Sequence, residues 1–232
     1  VRVYNFGRGA YFSTQERILF QQLLLRNAVP DMAIFLDGLN DFHLTTHSAG
    51  YSRLERAFAA TDPFKGGAGL RDAVVALGAH LPLIRAAAII ERKMSEQPAE
   101  LPTYKPAELP RRDLDALIDR YLHNKRQITG VAREYGLKPL FVWQPVPGYK
   151  YDLRHHAALN PVHGLGGHER SGQGYPVAAE RRAEFGGSFL WLADIQEHRA
   201  EALYVDTVHY TAAFSDVIAG EIAAHILRGA AD

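Results

Sequence analysis

The chain of 232 residues contains no cysteine, which removes disulfides, thiolate metal sites and a cysteine nucleophile together. It says nothing about redox compartment, so localisation stays open. Charge of one sign is also missing: 26 Lys and Arg balance 26 Asp and Glu, and no long block of either sign occurs. No field is built to hold nucleic acid or an anionic membrane. Long apolar runs are absent too. The stretch from Leu81 to Ile90 is interrupted by Pro82 and Arg85 and falls far short of a spanning helix, and no basic-then-apolar leader opens the chain. Membrane insertion by this segment is not expected. What is present is a composition 47% apolar, enough to bury a full core in one large domain.

Along the chain, strand and helix signals alternate. Val1 to Phe6 is short, β-branched and aromatic, and runs into Gly7-Arg8-Gly9, which reads as a buried strand ending in a loop. Ser13-Thr14-Gln15-Glu16 has capping-box spacing, and Ile18, Leu19, Gln22, Leu23 and Arg26 follow at helical intervals, so a helix capped by Ser13 should close near Asn27. Met32 to Leu36 is a compact apolar run that reads as a fully buried parallel strand. From about 42 to 112 glycines and prolines cluster, which marks an insertion, with helix over roughly 70–94, rather than a separate domain. After Asp113 as a cap, Leu114, Leu117, Ile118, Tyr121, Leu122, Ile128 and Val131 mark an amphipathic helix that stops at Gly136. Leu140 to Trp143 is the next strand. The stretch 147–187 is rich in glycine and histidine and reads as a long loop, Ala202 to Val205 as a last strand, and Phe214 to Ile226 as the closing helix.

Parallel neighbours need crossover connections, so this order predicts an α/β fold, a three-layer sandwich with a parallel sheet covered on both faces. Ligands in such sheets sit beyond the carboxyl ends of the strands, and Gly9, Asn40, Gln144 and His209 all follow expected strands.

The chemistry follows from two segments. In Asp206-Thr207-Val208-His209 a carboxylate three residues before an imidazole can hold its Nδ1 proton and leave Nε2 facing a nucleophile, as a general base requires. Taken alone, the spacing fits a surface or helix-capping pair better. In Gly38-Leu39-Asn40-Asp41, the Asn40 amide can donate to a developing oxyanion, one such donor being worth about 3 kcal/mol, or simply terminate a strand. Gly9 can present its N–H to the same oxygen, or be a turn glycine.

These residues resemble a known family. Asn5-Phe6-Gly7-Arg8-Gly9, Gly38-Leu39-Asn40-Asp41 and Asp206-Thr207-Val208-His209-Tyr210-Thr211 are similar, in order and placement, to the second, third and fifth sequence blocks of the SGNH hydrolases, or GDSL-type esterases and lipases. The resemblance implies a flavodoxin-like sandwich spanning 1–232 as a single domain. It implies His209 as base, Asp206 as its orienting carboxylate, and Gly9 and Asn40 in the oxyanion hole. It further implies no cofactor and no metal, and a small-molecule or saccharide ester as substrate, cleaved through an acyl-enzyme. The same intermediate passed to a sugar hydroxyl would make an O-acyltransferase, and a chain that had lost its serine would be a non-catalytic binding module.

The chain departs from the family at the first block, the Gly-Asp-Ser-like segment that carries the nucleophile; no serine precedes the second block. In the family's strand order, 2-1-3-4-5, that first strand lies between Val1–Phe6 and Met32–Leu36. The expectation is therefore a C-terminal portion, with no nucleophile of its own and inactive alone, whose sheet is completed by an upstream segment of the same protein. Ser13 reads as a helix cap, Ser48 and Ser52 fall in the insertion, and Ser171 lies in the long loop. His155, His156, His163 and His168 lack zinc spacing and read as a solvated or substrate-lining loop.

Overall fold

The computed structural model describes residues 1–43, 108–159 and 164–229. The chain divides into two units, Val1–Gly50 with Tyr104–Asp232, and Tyr51–Thr103. The second unit, and with it the helix expected over 70–94, lies outside the described residues.

The first unit is mixed α/β, with a small parallel sheet and helices. In chain order it runs α1 (Ser13–Leu25), β1 (Met32–Asp37), a short α2 (Leu39–His43), α3 (Arg111–Glu134), β2 (Lys138–Trp143), α4 (Glu169–Glu180), β3 (Phe189–Trp191) and α5 (Ala212–Arg228). Both α1 and α3 stop in the same way. Asn27 (φ 59°) and Gly136 (φ 67°) take the left-handed conformation. The next N–H then reaches back five residues, Ala28 to Leu23 O and Leu137 to Ala132 O, each at 3.0 Å. Thr211 caps α5 by accepting from the Phe214 N–H at 3.2 Å.

The strands lie in the order β1-β2-β3, all parallel, with Asp37 opposite Trp143 and Trp143 opposite Trp191. Side chains alternate across the sheet, so Phe35, Phe141 and Trp143 share one face. There Phe35 and Phe141 stack at 5.1 Å against Phe20 and Leu24 of α1 and Ile128 and Ala132 of α3. Toward the carboxyl ends, Trp143 and Trp191 meet Leu39 and Phe42 of α2, Ile118 and Tyr121 of α3 and Tyr175 of α4. On the other face Leu140, Val142 and Leu192 pack with Phe214 and Ile218 of α5. Ile34 and Leu36 of β1 belong to that second face but stay exposed.

Several sequence expectations are corrected. Val1–Phe6 is not a strand and not buried; it is exposed along its length, because a strand forms only where a neighbour accepts its ladder, and among the described residues β1 pairs with β2 alone. β1 is parallel but not fully buried. Ala202–Val205 contributes one antiparallel pairing, Tyr204 with Tyr210, instead of a strand, and the strand next to β2 is Phe189–Trp191. The stretch 147–187 is not one loop: α4 and a 3₁₀ turn at Arg182–Phe185 occupy its second half. Phe12, not Ser13, is the N-cap of α1, and Gln15 Oε1 accepts from its N–H at 3.0 Å; Pro110, not Asp113, caps α3.

The glycines inside α4 are there for close packing. A Cβ on Gly174 would lie 2.1 Å from Cε1 of Phe42, and one on Gly172 would lie 2.7 Å from the carbonyl oxygen of Gly148. Gly174→Ala gains helix propensity but overpacks a buried ring, so a net loss of about 2 kcal/mol is expected in urea unfolding. An unchanged midpoint would show that the ring yields without strain.

Candidate active site

The base turn is built locally. The Thr211 N–H donates to Leu203 O and the Val205 N–H to His209 O, both at 2.8 Å, and these bonds close a tight loop around Asp206–His209. Within it Asp206 Oδ1 accepts from the Val208 N–H at 3.0 Å and the His209 N–H at 2.8 Å, while Oδ2 lies 2.7 Å from His209 Nδ1. The backbone N–H groups of His209 and Val208, reinforced by the His209 ring, hold the Asp206 carboxyl down at about 2. An ionised carboxylate only accepts, so the proton between the two groups resides on Nδ1. Nε2 is left with its lone pair outward. The His209 side chain is 76% exposed, so that lone pair is accessible.

Asn40 stands in the first turn of α2, just beyond β1, after Gly38 (φ 115°), whose conformation a side chain would resist. Its Nδ2 donates one hydrogen to Tyr11 O at 2.8 Å. A primary amide has two, and the second has no acceptor among the described residues. Gly9 is exposed in the turn that Tyr11 N–H closes onto Arg8 O at 3.2 Å, two residues from the carbonyl that holds Asn40. Asp206 and His209 are thus in direct contact, and the Gly9 turn reaches Asn40 through Tyr11. Val208 packs on the extended apolar cluster that also includes Leu39 and Phe42.

The two serines of the sequence reading that the structure describes are committed elsewhere. Ser13 is buried and donates to Asp41 Oδ1 at 2.6 Å, and Asn124 Nδ2 donates to Ser13 Oγ at 3.0 Å. Ser171 is buried in α4, with its hydroxyl on His168 O at 2.6 Å. Ser48 and Ser52 lie outside the described residues. The expected histidine loop is corrected at His156, which is buried, stacks on Tyr204 and places Nε2 3.3 Å from Thr207 O in the base turn. His163 is outside the described residues. Among those described, no group of three or more metal-ligating side chains is placed to hold an ion.

Beneath Gly38 lies an acidic cluster that the sequence reading missed. Burial pushes the carboxyls of both Glu16 and Asp37 up; Glu16 reaches about 7 although its hydrogen bond with Asp37 pulls it down, while the charge of Glu16 and that same bond raise Asp37 further. The two hydrogen-bond to each other, which two ionised carboxylates cannot do, so the pair retains a proton. Asp41 stands beside them, its carbonyl accepting from Arg120 Nη2 at 2.9 Å. A signal was present in the sequence: Glu16 shares one helical stripe with Phe20 and Leu24, a polar residue on a buried face.

Comparison of the chain with protein-family models, curated proteins and solved structures returned no match.

Proposed function

We propose that this chain is the C-terminal portion of a serine ester hydrolase of the SGNH type, cleaving an O-acyl or acetyl ester through an acyl-enzyme. The observation that carries the reading is the 2.7 Å contact between Asp206 Oδ2 and His209 Nδ1, which fixes a base tautomer on a turn tied to the carboxyl end of a parallel strand. In this reading the sheet belongs to a three-layer, flavodoxin-like sandwich. An upstream strand pairs along the outer edge of β1, where Ile34 and Leu36 are exposed, and carries the serine.

The chemistry then balances. The serine Oγ attacks the ester carbonyl carbon as its proton passes to His209 Nε2, and the carbonyl π pair moves onto oxygen. The free Asn40 amide hydrogen and the Gly9 N–H stabilise that oxyanion. Collapse breaks the bond to the alcohol oxygen, which takes the proton from His209; water repeats the sequence on the acyl-enzyme. Asp206 remains an anion throughout.

The test is hydrolysis of a short-chain aryl ester by the protein with its upstream residues and by residues 1–232 alone. Turnover in the longer form and none in the shorter is expected. Inactivity of both would overturn the esterase reading in favour of a binding module.

A further inference from the structure

The His209 side chain touches solvent over most of its area and is held by Asp206 of the same turn, so what anchors that turn decides where Nε2 points. A long-range anchor comes from the next residue. The Tyr210 hydroxyl oxygen lies 2.6 Å from Pro145 O and 2.9 Å from Gln144 Oε1. One hydroxyl proton cannot serve two acceptors fully. The shorter contact takes it, and a Gln144 amide turned about its last bond donates its NH₂ to the Tyr210 oxygen; the oxygen and nitrogen ends of an amide are assigned from such networks. Burial raises the Tyr210 hydroxyl well above an ordinary phenol, so it stays a donor.

Gln144 is itself fixed on both sides. Its N–H donates to Asp37 O at 3.0 Å, and its carbonyl accepts from the Tyr175 hydroxyl at 2.8 Å. That same hydroxyl lies against Gly38, where an added Cβ would be only 2.3 Å away. A single post at the end of β2 therefore touches the base turn through Tyr210 and the Asn40 loop through Asp37, Tyr175 and Gly38.

The geometry points to Tyr210 and Gln144 as positioning residues that hold the base turn in register with the oxyanion donor. This rests on the esterase reading above. Neither residue touches the reacting atoms. Their effect passes through placement, to which catalysis is steep: a misplacement of about 1 Å costs on the order of 10²-fold in rate.

Tyr210→Phe removes one oxygen and keeps the ring, which packs on Tyr204 and Phe214, so the fold is retained. In the protein with its upstream residues, kcat for the aryl ester should fall roughly 10- to 100-fold. KM should stay within about twofold, as expected when transition-state placement alone is lost. Gln144→Leu should act in the same direction, and the double variant should cost little more than either single one, because one bond is shared. Backbone amide exchange provides a readout independent of activity: the Val205 and Thr211 N–H groups, which close the turn, should exchange about tenfold faster in Tyr210→Phe at an unchanged thermal midpoint. Unchanged kcat and unchanged exchange overturn the proposal, as does a kcat loss matched by a falling midpoint, which marks a merely structural role. No turnover in the unmodified protein overturns the esterase reading and the catalytic part of this proposal with it, while the exchange rates still decide whether the clamp exists.

Discussion

His209→Ala is expected to lower kcat/KM for a short-chain aryl ester by on the order of 10³- to 10⁴-fold, with the folded state intact. The size follows from what is removed: an exposed imidazole whose Nε2 lone pair is accessible and which already carries the correct tautomer. The side chain makes no core contact and is 76% exposed, so truncation leaves no cavity. Asp206→Asn should cost less, about 10- to 100-fold, than it would at a buried triad. The Asp206 side chain is 54% exposed, so water can take over part of the carboxylate's electrostatic role. Because its carboxyl titrates at about 2, protonation of Asp206 does not contribute to loss of activity above about pH 4. Steady-state kinetics on the three proteins checks all of this. A His209→Ala variant within tenfold of the parent would remove the base from the mechanism.

Raising the pH from 5 to 8 is expected to destabilise the protein by roughly 2–3 kcal/mol through Glu16, and further through Asp37. Glu16 titrates near 4.5 when unfolded and at about 7 when folded. Below 4.5 both states carry the proton and stability is at its full value. As pH rises through that value and on through 7, the unfolded chain gives up its proton more readily than the folded one, and stability is lost. Asp37, raised well above 3.8 for the same reason, acts in the same direction. Urea unfolding at the two pH values measures the effect. Glu16→Gln should reduce the loss, and Glu16→Gln with Asp37→Asn should nearly abolish it. Stability that rises across this window would show that the pair does not hold its proton.

The sequence made local structure legible and tertiary structure only where it was encoded locally. Helices α1, α3 and α5 were visible because their apolar stripes repeat within a few residues, and β1 and β2 because both are short apolar runs closed by turn residues. Val1–Phe6 has strand composition, but composition cannot supply a partner. α4 was hidden by Gly172, Gly174 and Pro176, which read as loop; the two glycines are instead positions where Gly148 and Phe42 leave no room for a side chain. β3 is three residues long and follows Gly186-Gly187, too short for any period to show. At the site, Asp206 and His209 were found because they bond across three residues. The Tyr11–Asn40, Gln144–Tyr210 and His156–Thr207 tethers span 29, 66 and 51 positions, and no spacing rule reaches that far. Glu16 has capping-box spacing from Ser13, but its place on the buried stripe with Phe20 and Leu24 is the more telling signal.

The most direct measurement is covalent capture: the protein with its upstream residues is treated with a serine-directed aryl phosphonate, and the adduct is mapped by mass spectrometry. The expected result is one phosphonylated serine, located before Val1, in the parent protein and none in His209→Ala. An adduct on a serine within residues 1–232, or labelling that His209→Ala leaves unchanged, would contradict a site assembled from His209, Asp206 and Asn40 around an upstream nucleophile.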